Sequence, residues 1–318
     1  MELPLALREA MEQQLNGAQS GQMVQDAQAI SLRYRTQSGR GERLLTGDHE
    51  ASAYAAARMP ATYGAVFSSL EQALDITGYC PATLLDAGAG TGAASWAADS
   101  LLQLKSVTCL ERESAMLKIG KEMMQYGSAV LRSAKWLQQD LVQDEPIAQV
   151  ELVIAAYVLN EMTVQGRLIA VEKLWKVAGQ LLLLVEPGTP AAFASLMEVR
   201  NHLVQRGAKI AAPCPRQGEC PRPKEDWCHF TCRISRSRLH RQLKGGEAPF
   251  EDEKFSYIAL CREEIPAPNA RVLRHPQVRG GHIMLEVCTA QGLQSITLSK
   301  KDGESYRKAR KAKAGDAF

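Results

Sequence analysis

The apolar positions along the chain fall into three regimes. Leu3, Leu5, Leu7, Met11 and Leu15 recur at helical spacing among polar neighbours, so residues 1–30 predict one or two helices. A polar, glycine-containing link over residues 34–43 separates them from an alanine-rich helical stretch at 48–58. Pro60 is expected to restart a second helix, which Gly78 and Pro81 end. From residue 83, short apolar runs alternate with amphipathic ones: strand 83–86, helix 91–103, strand 106–110, helix 113–125, strands near 133–138 and at 150–156, helix 164–178, strand 180–185 and helix 191–205. That alternation predicts a parallel sheet covered by helices on both faces.

The third regime begins near residue 211. Pro213, Pro215, Pro221 and Pro223 leave neither helix nor regular strand over 211–232, so something other than backbone hydrogen bonding must order that loop. Strand patterns return at 255–260, 283–287 and 293–298, the last two joined by a short glycine-containing turn as a hairpin. The expected division is therefore a helical region over 1–78, an α/β core over 79–210, and a loop, closing strands and a basic C-terminal tail over 211–318.

The end of the first strand carries the most specific chemistry. Asp86, Gly88, Ala89, Gly90 and Gly92 follow Leu84 and Leu85 and open a helix. Glycines at this spacing let the backbone turn sharply and approach a ligand that the helix N-terminus then faces. Asp86 is placed to accept a hydrogen bond from a ligand amine. Glu111 ends a second strand about twenty residues on, where an acid meets two ribose hydroxyls. Asp140, with Leu141, lies where a third strand ends and an adenine edge would sit. The D-x-G-x-G-x-G pattern fits S-adenosylmethionine better than a dinucleotide, so the fold class is α/β, a Rossmann-like S-adenosylmethionine-dependent methyltransferase fold with an N-terminal helical region and a C-terminal cysteine-rich loop plus hairpin. Tyr157, Asn160 and Glu161 follow the fourth strand and are the candidate catalytic residues, yet the Asn/Asp-Pro-Pro-Tyr of many amino-group methyltransferases is absent there. Whether the chain is an enzyme is thus open at the sequence level.

Composition adds bounds rather than identity. Of 318 residues 45% are hydrophobic and 23% charged, which excludes a disordered or fibrous chain. The net charge of +3 hides an uneven distribution: Lys300, Lys301, Arg307, Lys308, Arg310, Lys311 and Lys313 crowd the last twenty residues, a candidate phosphate-binding surface. No apolar run approaches the roughly 20 residues that span a bilayer, and the opening residues show neither a secretory nor an Arg-rich transit pattern, so a bacterial-type cytoplasm, no membrane and a monomer are expected.

In such a compartment eight cysteines are not disulfides. Cys80, Cys109 and Cys261 sit beside apolar stretches and read as core residues. Cys214, Cys220, Cys228 and Cys232 cluster in the proline loop without the close pair of a zinc ribbon, and their wider spacing suits a four-iron four-sulfur cluster better than zinc. The fourth ligand is open on chemistry alone between Cys232 and Cys288, with His229 a conceivable substitute.

Taken together, the stretch 54–63, the 86–92 loop, 157–161, 186–190, the Cys-Pro pairs at 214 and 220, Trp227 to Phe230, and Gly281 to Cys288 resemble the methyltransferase-like family of small-ribosomal-subunit assembly proteins of bacteria and mitochondria. The resemblance covers nearly the whole chain. It implies binding of small-subunit ribosomal RNA and assembly intermediates, a four-iron four-sulfur cluster on Cys214, Cys220, Cys228 and Cys288, and an RNA-contacting role for the basic end. An active ribosomal-RNA methyltransferase and a small-molecule methyltransferase with a structural zinc are the alternative readings.

Overall fold

The computed structural model describes residues 1–15, 25–26, 28–30, 32–33, 47–143, 148–223, 225–237, 240–241 and 246–318. The expected polar link at 34–43 lies outside them. Helix α1 (Leu5–Leu15) opens the chain, and α2 (Asp48–Thr77) follows as one helix rather than two. Pro60 lies inside it, where proline removes one backbone bond and costs about 3 kcal/mol. Burial of Met59, Ala61, Tyr63 and Val66 offsets that loss, so the helix runs on until Gly78 ends it in a left-handed turn.

Strands β1 (Thr83–Ala87), β2 (Ser106–Glu111), β3 (Lys135–Gln138), β4 (Val150–Ala156) and β5 (Ala178–Pro187) pair in parallel in the order 3-2-1-4-5. Between them run α3 (Ala93–Leu101), α4 (Ser114–Met124), the short α5 (Ala129–Arg132) and α6 (Val164–Val177), and α7 (Pro190–Val204) follows β5. Successive side chains of a strand face opposite ways. Leu84 accordingly enters the core under α2 and α3, whereas Leu85 enters the core under α6 and α7. This is the Rossmann-like methyltransferase fold, and the strand order reverses between β1 and β4, the place where such sheets hold ligands.

The sheet does not stop at residue 210. Strand β6 (Lys209–Ala212) is its edge, and the long β8 (Phe250–Cys261) inserts antiparallel between β5 and β6. Strand β7 (Phe230–Ser235) pairs with the first half of β8, so Phe230 and Cys232 are in a regular strand that the proline count did not foresee. Cys109 and Cys261 are buried as expected, but Cys80 is exposed in the turn beyond α2. A second, antiparallel sheet follows: β9 (Ala270–Val272), β10 (Gln277–Arg279), β11 (His282–Thr289) and β12 (Gly292–Ser299), the last two forming the expected hairpin. Helix α8 (Gly303–Lys311) packs Ala309 and Tyr306 onto this sheet's small core. Among the described residues no helix is long and apolar enough to cross a membrane.

Candidate functional site

A cavity of about 340 Å³ opens at the carboxyl ends of β1, β2 and β4. Gly88, Ala89 and Gly90 form one wall, Glu111 and Arg112 another, Asp140 and Leu141 a third, and Tyr157 and Glu161 close it. The volume lies in the range of small-molecule sites. Gly88 has φ +70°, and a Cβ there would stand 2.5 Å from Val158 Cγ2, so the loop is shaped by its contact with the β4 turn before any ligand enters.

The acids have distinct duties. Gly90 N–H donates to Glu111 Oε2 and Glu113 N–H to Glu111 Oε1, both at 2.7 Å. Two carboxylate oxygens offer about four lone-pair sites, so acceptor capacity remains for hydroxyls of a ligand. Burial raises the Glu111 pKa, against the pull of those two bonds. Val142 N–H donates to Asp140 Oδ1 at 2.8 Å, which fixes the loop after β3 at the cavity edge.

Asp86 is elsewhere than its expected role requires. It is 1% exposed and does not line the cavity; its Oδ2 accepts from Ser95 N–H at 3.0 Å and Ser95 Oγ at 2.7 Å. Its carboxylate satisfies the first turn of α3 from inside and supports the loop rather than touching a ligand, and burial pushes its pKa up to about 6. Gly92 caps the same helix with φ +85° and likewise does not line the cavity.

After β4 the three candidate catalytic residues separate. Tyr157 takes a left-handed backbone, φ 59°, which costs a non-glycine residue on the order of 1–3 kcal/mol. Its hydroxyl donates to Glu253 Oε1 at 2.9 Å, and Arg58 Nη2 donates to the same oxygen at 3.1 Å. Burial, then the Glu253 carboxylate, raises the Tyr157 hydroxyl well above its ordinary value. Glu161 stands at the cavity wall, where desolvation, reinforced by Glu111, pushes its pKa up to about 8. Asn160 is outside the cavity: with its amide nitrogen donating to Glu186 Oε2 at 3.0 Å and Tyr157 O at 3.2 Å, it locks the turn. Glu186, 1% exposed at the end of β5, also accepts from Leu159 N–H at 2.9 Å, a role that no local sequence signal announces.

A second cavity, about 30 Å³, lies between the proline loop and the small sheet. Cys214, Cys220, Cys228 and Cys288 all line it. Cys232 does not; its Sγ faces α2, 3.1 Å from where a Cβ on Gly64 would be. His229 packs on Trp227 with ring centroids 5.2 Å apart, and it too is outside the cavity. Among the described residues no three His, Cys, Asp or Glu side chains stand close enough to grip a single metal ion. Burial pushes the Cys214 thiol up to about 11, with the neighbouring Arg200 opposing and Cys220 reinforcing the shift, and it raises Cys228 and Cys288 as well.

Side chains order this loop, as its prolines require. Gln217 exchanges two bonds with the Ile210 backbone, at 2.8 and 2.9 Å. Arg200 on α7 holds the carbonyls of Gln217 and Gly218. Trp227 Nε1 donates to Gly188 O at 2.9 Å, and Ser256 Oγ to Cys228 O at 2.8 Å. From the other side Arg274 donates to Asp226 Oδ1 at 2.8 Å and Trp227 O at 3.1 Å.

The basic residues do not form a loose tail. Arg307, Lys308, Arg310 and Lys311 are exposed on α8, Lys300 and Lys301 on the turn before it and Lys313 just after, and none has an ion-pair partner among the described residues. Beyond α8 the chain returns to β9 through Gly315 N–H to Val272 O at 2.8 Å and Phe318 N–H to Ala270 O at 2.9 Å.

Comparison with known proteins places these features among relatives. The model of the family described as mitochondrial small ribosomal subunit Rsm22 matches residues 48–318. The human ribosome assembly protein METTL17, mitochondrial, is 28% identical over 290 residues, covering 83% of this chain and 61% of that protein. The Rsm22-cox11 tandem protein 2, mitochondrial, of Schizosaccharomyces pombe is 24% identical over 333 residues, covering 87% of this chain and 44% of that one. The chain thus spans roughly half the length of these relatives. Among solved structures, magnesium protoporphyrin IX methyltransferase from Synechocystis PCC 6803 with bound S-adenosylmethionine aligns at a TM-score of 0.43 and 17% identity, over 78% of this chain and 99% of that one.

These relatives overturn the bacterial-type cytoplasmic expectation, since each is a mitochondrial protein. The reason is physical. Import machinery reads a targeting segment, whereas core patterning and cysteine usage record how a domain folds, so neither carries the address.

Proposed function

Because the chain belongs to the Rsm22 family, the family of a mitochondrial small ribosomal subunit protein, we propose that it is a methyltransferase-like factor acting on the small subunit of a mitochondrial ribosome during assembly. In this reading the 340 Å³ cavity binds S-adenosylmethionine. The backbone of Gly88 to Gly90 lies against the ligand, Glu111 meets the ribose hydroxyls, Asp140 and Leu141 flank the adenine, and Glu113 supplies negative charge opposite the sulfonium and amine. The bound cofactor would supply an electrophilic methyl group.

Cys214, Cys220, Cys228 and Cys288 would hold a four-iron four-sulfur cluster. A single tetrahedral ion with bonds of about 2.3 Å draws its sulfurs to within about 4 Å of one another, whereas a cube carries its thiolates at four separated corners. The donor set fits the cube: four thiols converge on one cavity, among buried guanidinium groups suited to the net negative charge that four thiolates would give the loaded site. Lys300, Lys301, Arg307, Lys308, Arg310, Lys311 and Lys313 would then meet ribosomal RNA phosphates.

One observation carries the proposal. Strand β11 carries Cys288 one residue before its end, and its sheet supports the basic helix α8. A group bound by all four thiols therefore ties the RNA-facing sheet to the methyltransferase core. The test is co-sedimentation of the purified chain with small-subunit assembly precursors, with iron and sulfide measured after anaerobic purification. Indifference to ribosomal RNA at moderate salt would remove the assembly role, and a colourless chain without iron would remove the cluster.

A second reading, an active ribosomal-RNA methyltransferase, is favoured by one feature: Tyr157 is held in a strained left-handed backbone at the mouth of the cavity. Labelled methyl incorporation into small-subunit RNA, lost in Tyr157→Ala, would establish it.

A further inference from the structure

The thiol cavity has a second set of walls that the thiols do not explain. Arg200, Arg216, Arg222 and Arg271 all line it. Buried guanidinium groups normally spend every N–H on an acceptor, because an unmet donor of this kind costs on the order of 1–3 kcal/mol. Here Arg200 Nε, Arg216 Nε, Arg222 Nε, Arg222 Nη2 and Arg271 Nη2 are buried without a hydrogen-bond partner among the described residues. Arg200 and Arg271 are only 2% exposed, and the Arg222 side chain 5%, so water does not substitute freely for the missing acceptors.

The arginines are not idle elsewhere. Arg200 and Arg271 use their other nitrogens to hold Gln217, Gly218, Pro213 and Gly315 carbonyls. Arg222 Nη1 meets Asp226 and Glu286. Those bonds fix where the Arg200, Arg222 and Arg271 guanidinium groups stand and leave their remaining N–H groups in the wall of the thiol cavity. Arg200 bears on Cys214, Arg222 on Cys228 and Cys288, and Arg216 on Cys288. Four protein elements contribute: α7, the two halves of the proline loop and β9. No single segment's folding requirement accounts for that convergence.

We infer that Arg200, Arg216, Arg222 and Arg271 are positioning residues for the iron–sulfur cluster, donating N–H hydrogen bonds to its sulfurs and offsetting its negative charge. The inference rests on the cluster reading above. Hydrogen bonds to the sulfurs and nearby positive charge stabilise the reduced, more negative state and raise the reduction potential.

The test is a redox titration of the full chain, anaerobically loaded with iron and sulfide and reduced by dithionite through mediator dyes. Arg216 is the first target, since it makes none of the loop-ordering bonds named above. In Arg216→Gln and Arg222→Gln the midpoint should move negative by about 59 mV, a tenfold change in the ratio of oxidised to reduced cluster at a fixed potential. Arg216→Lys, which keeps the charge without the planar fork, should move less in the same direction and guards against a folding defect in the glutamine variants. Iron and sulfide at parental stoichiometry with an unmoved midpoint in all three variants would overturn the inference. A parent chain that takes up no iron or sulfide would instead overturn the cluster reading beneath it, and the two failures are told apart by which protein shows them.

Discussion

The glycine-loop cavity is walled by groups that already have partners. Glu111 is held by the Gly90 and Glu113 amides, Asp140 by the Val142 amide and Tyr157 by Glu253, and behind that wall Asp86 is held by Ser95 and Asn160 by Glu186. In the thiol cavity five guanidinium nitrogens have none among the described residues, and burial raises the thiol pKa values. The first site is therefore complete as folded and waits for a ligand. On the cluster reading the second is complete only with its cluster, which then contributes to structure, and loss of the cluster should be felt as instability.

The largest effect expected from this contrast is on the thiol side. Thiolate–metal sites contribute on the order of 10 kcal/mol to folding. Cys228→Ser should abolish iron binding and expose the 213–229 loop and β11 to hydrogen exchange, while β1 to β5 stay protected. Equal loss of protection across the main sheet would break the contrast.

Next comes a pH effect centred on Glu186. Burial pushes this carboxyl from its ordinary 4.5 up to about 8, against the Leu159 and Asn160 amides that favour its charge. A group whose folded pKa lies above its unfolded value keeps its proton longer in the folded state, so its contribution is most favourable below about 4.5 and is lost as pH rises toward 8. The loss is on the order of 4 kcal/mol across that window. Urea unfolding at pH 5 and pH 8 should show the decline, and Glu186→Gln should reduce it, Glu161 titrating in the same window.

Gly88→Ala sharpens the comparison from the other side. The left-handed backbone costs alanine about 1–2 kcal/mol, and its Cβ meets Val158. S-adenosylhomocysteine affinity, read by calorimetry, should fall more than tenfold with iron content unchanged. Smallest in stability is Lys308→Glu with Lys311→Glu: within about 0.5 kcal/mol of the parent, yet with the salt dependence of RNA binding reduced by about one unit per lost phosphate contact.

Legibility in the sequence followed the range of the interactions involved. The β1 loop could be read because Asp86, Gly88, Gly90 and Gly92 act within one turn of chain, and the alternation from residue 83 onward is a local consequence of burial on two faces. Even there, the same aspartate was assigned to a ligand although it belongs to Ser95, since spacing shows adjacency but not direction. Pro60 predicts a break because local preference favours one, and the tertiary burial that overrides it is invisible along the chain. Strands β6 and β7 were missed for the converse reason: their partner β8 lies tens of residues away. The arginines around the thiols could not be found at all, since α7, the proline loop and β9 meet only in three dimensions.

The return of the final residues to β9 changes what kind of object the basic end is. Reciprocal bonds between Ala270 and Phe318, and Arg271 clasping Gly315 O at 2.6 Å, close the segment after α8 back onto the sheet that supports it. A tethered brush of lysines would adapt to any polyanion and lose its freedom on contact. A stamp, fixed at both margins, presents one pattern of charge, surrenders little entropy on landing and rejects surfaces whose phosphates are spaced otherwise.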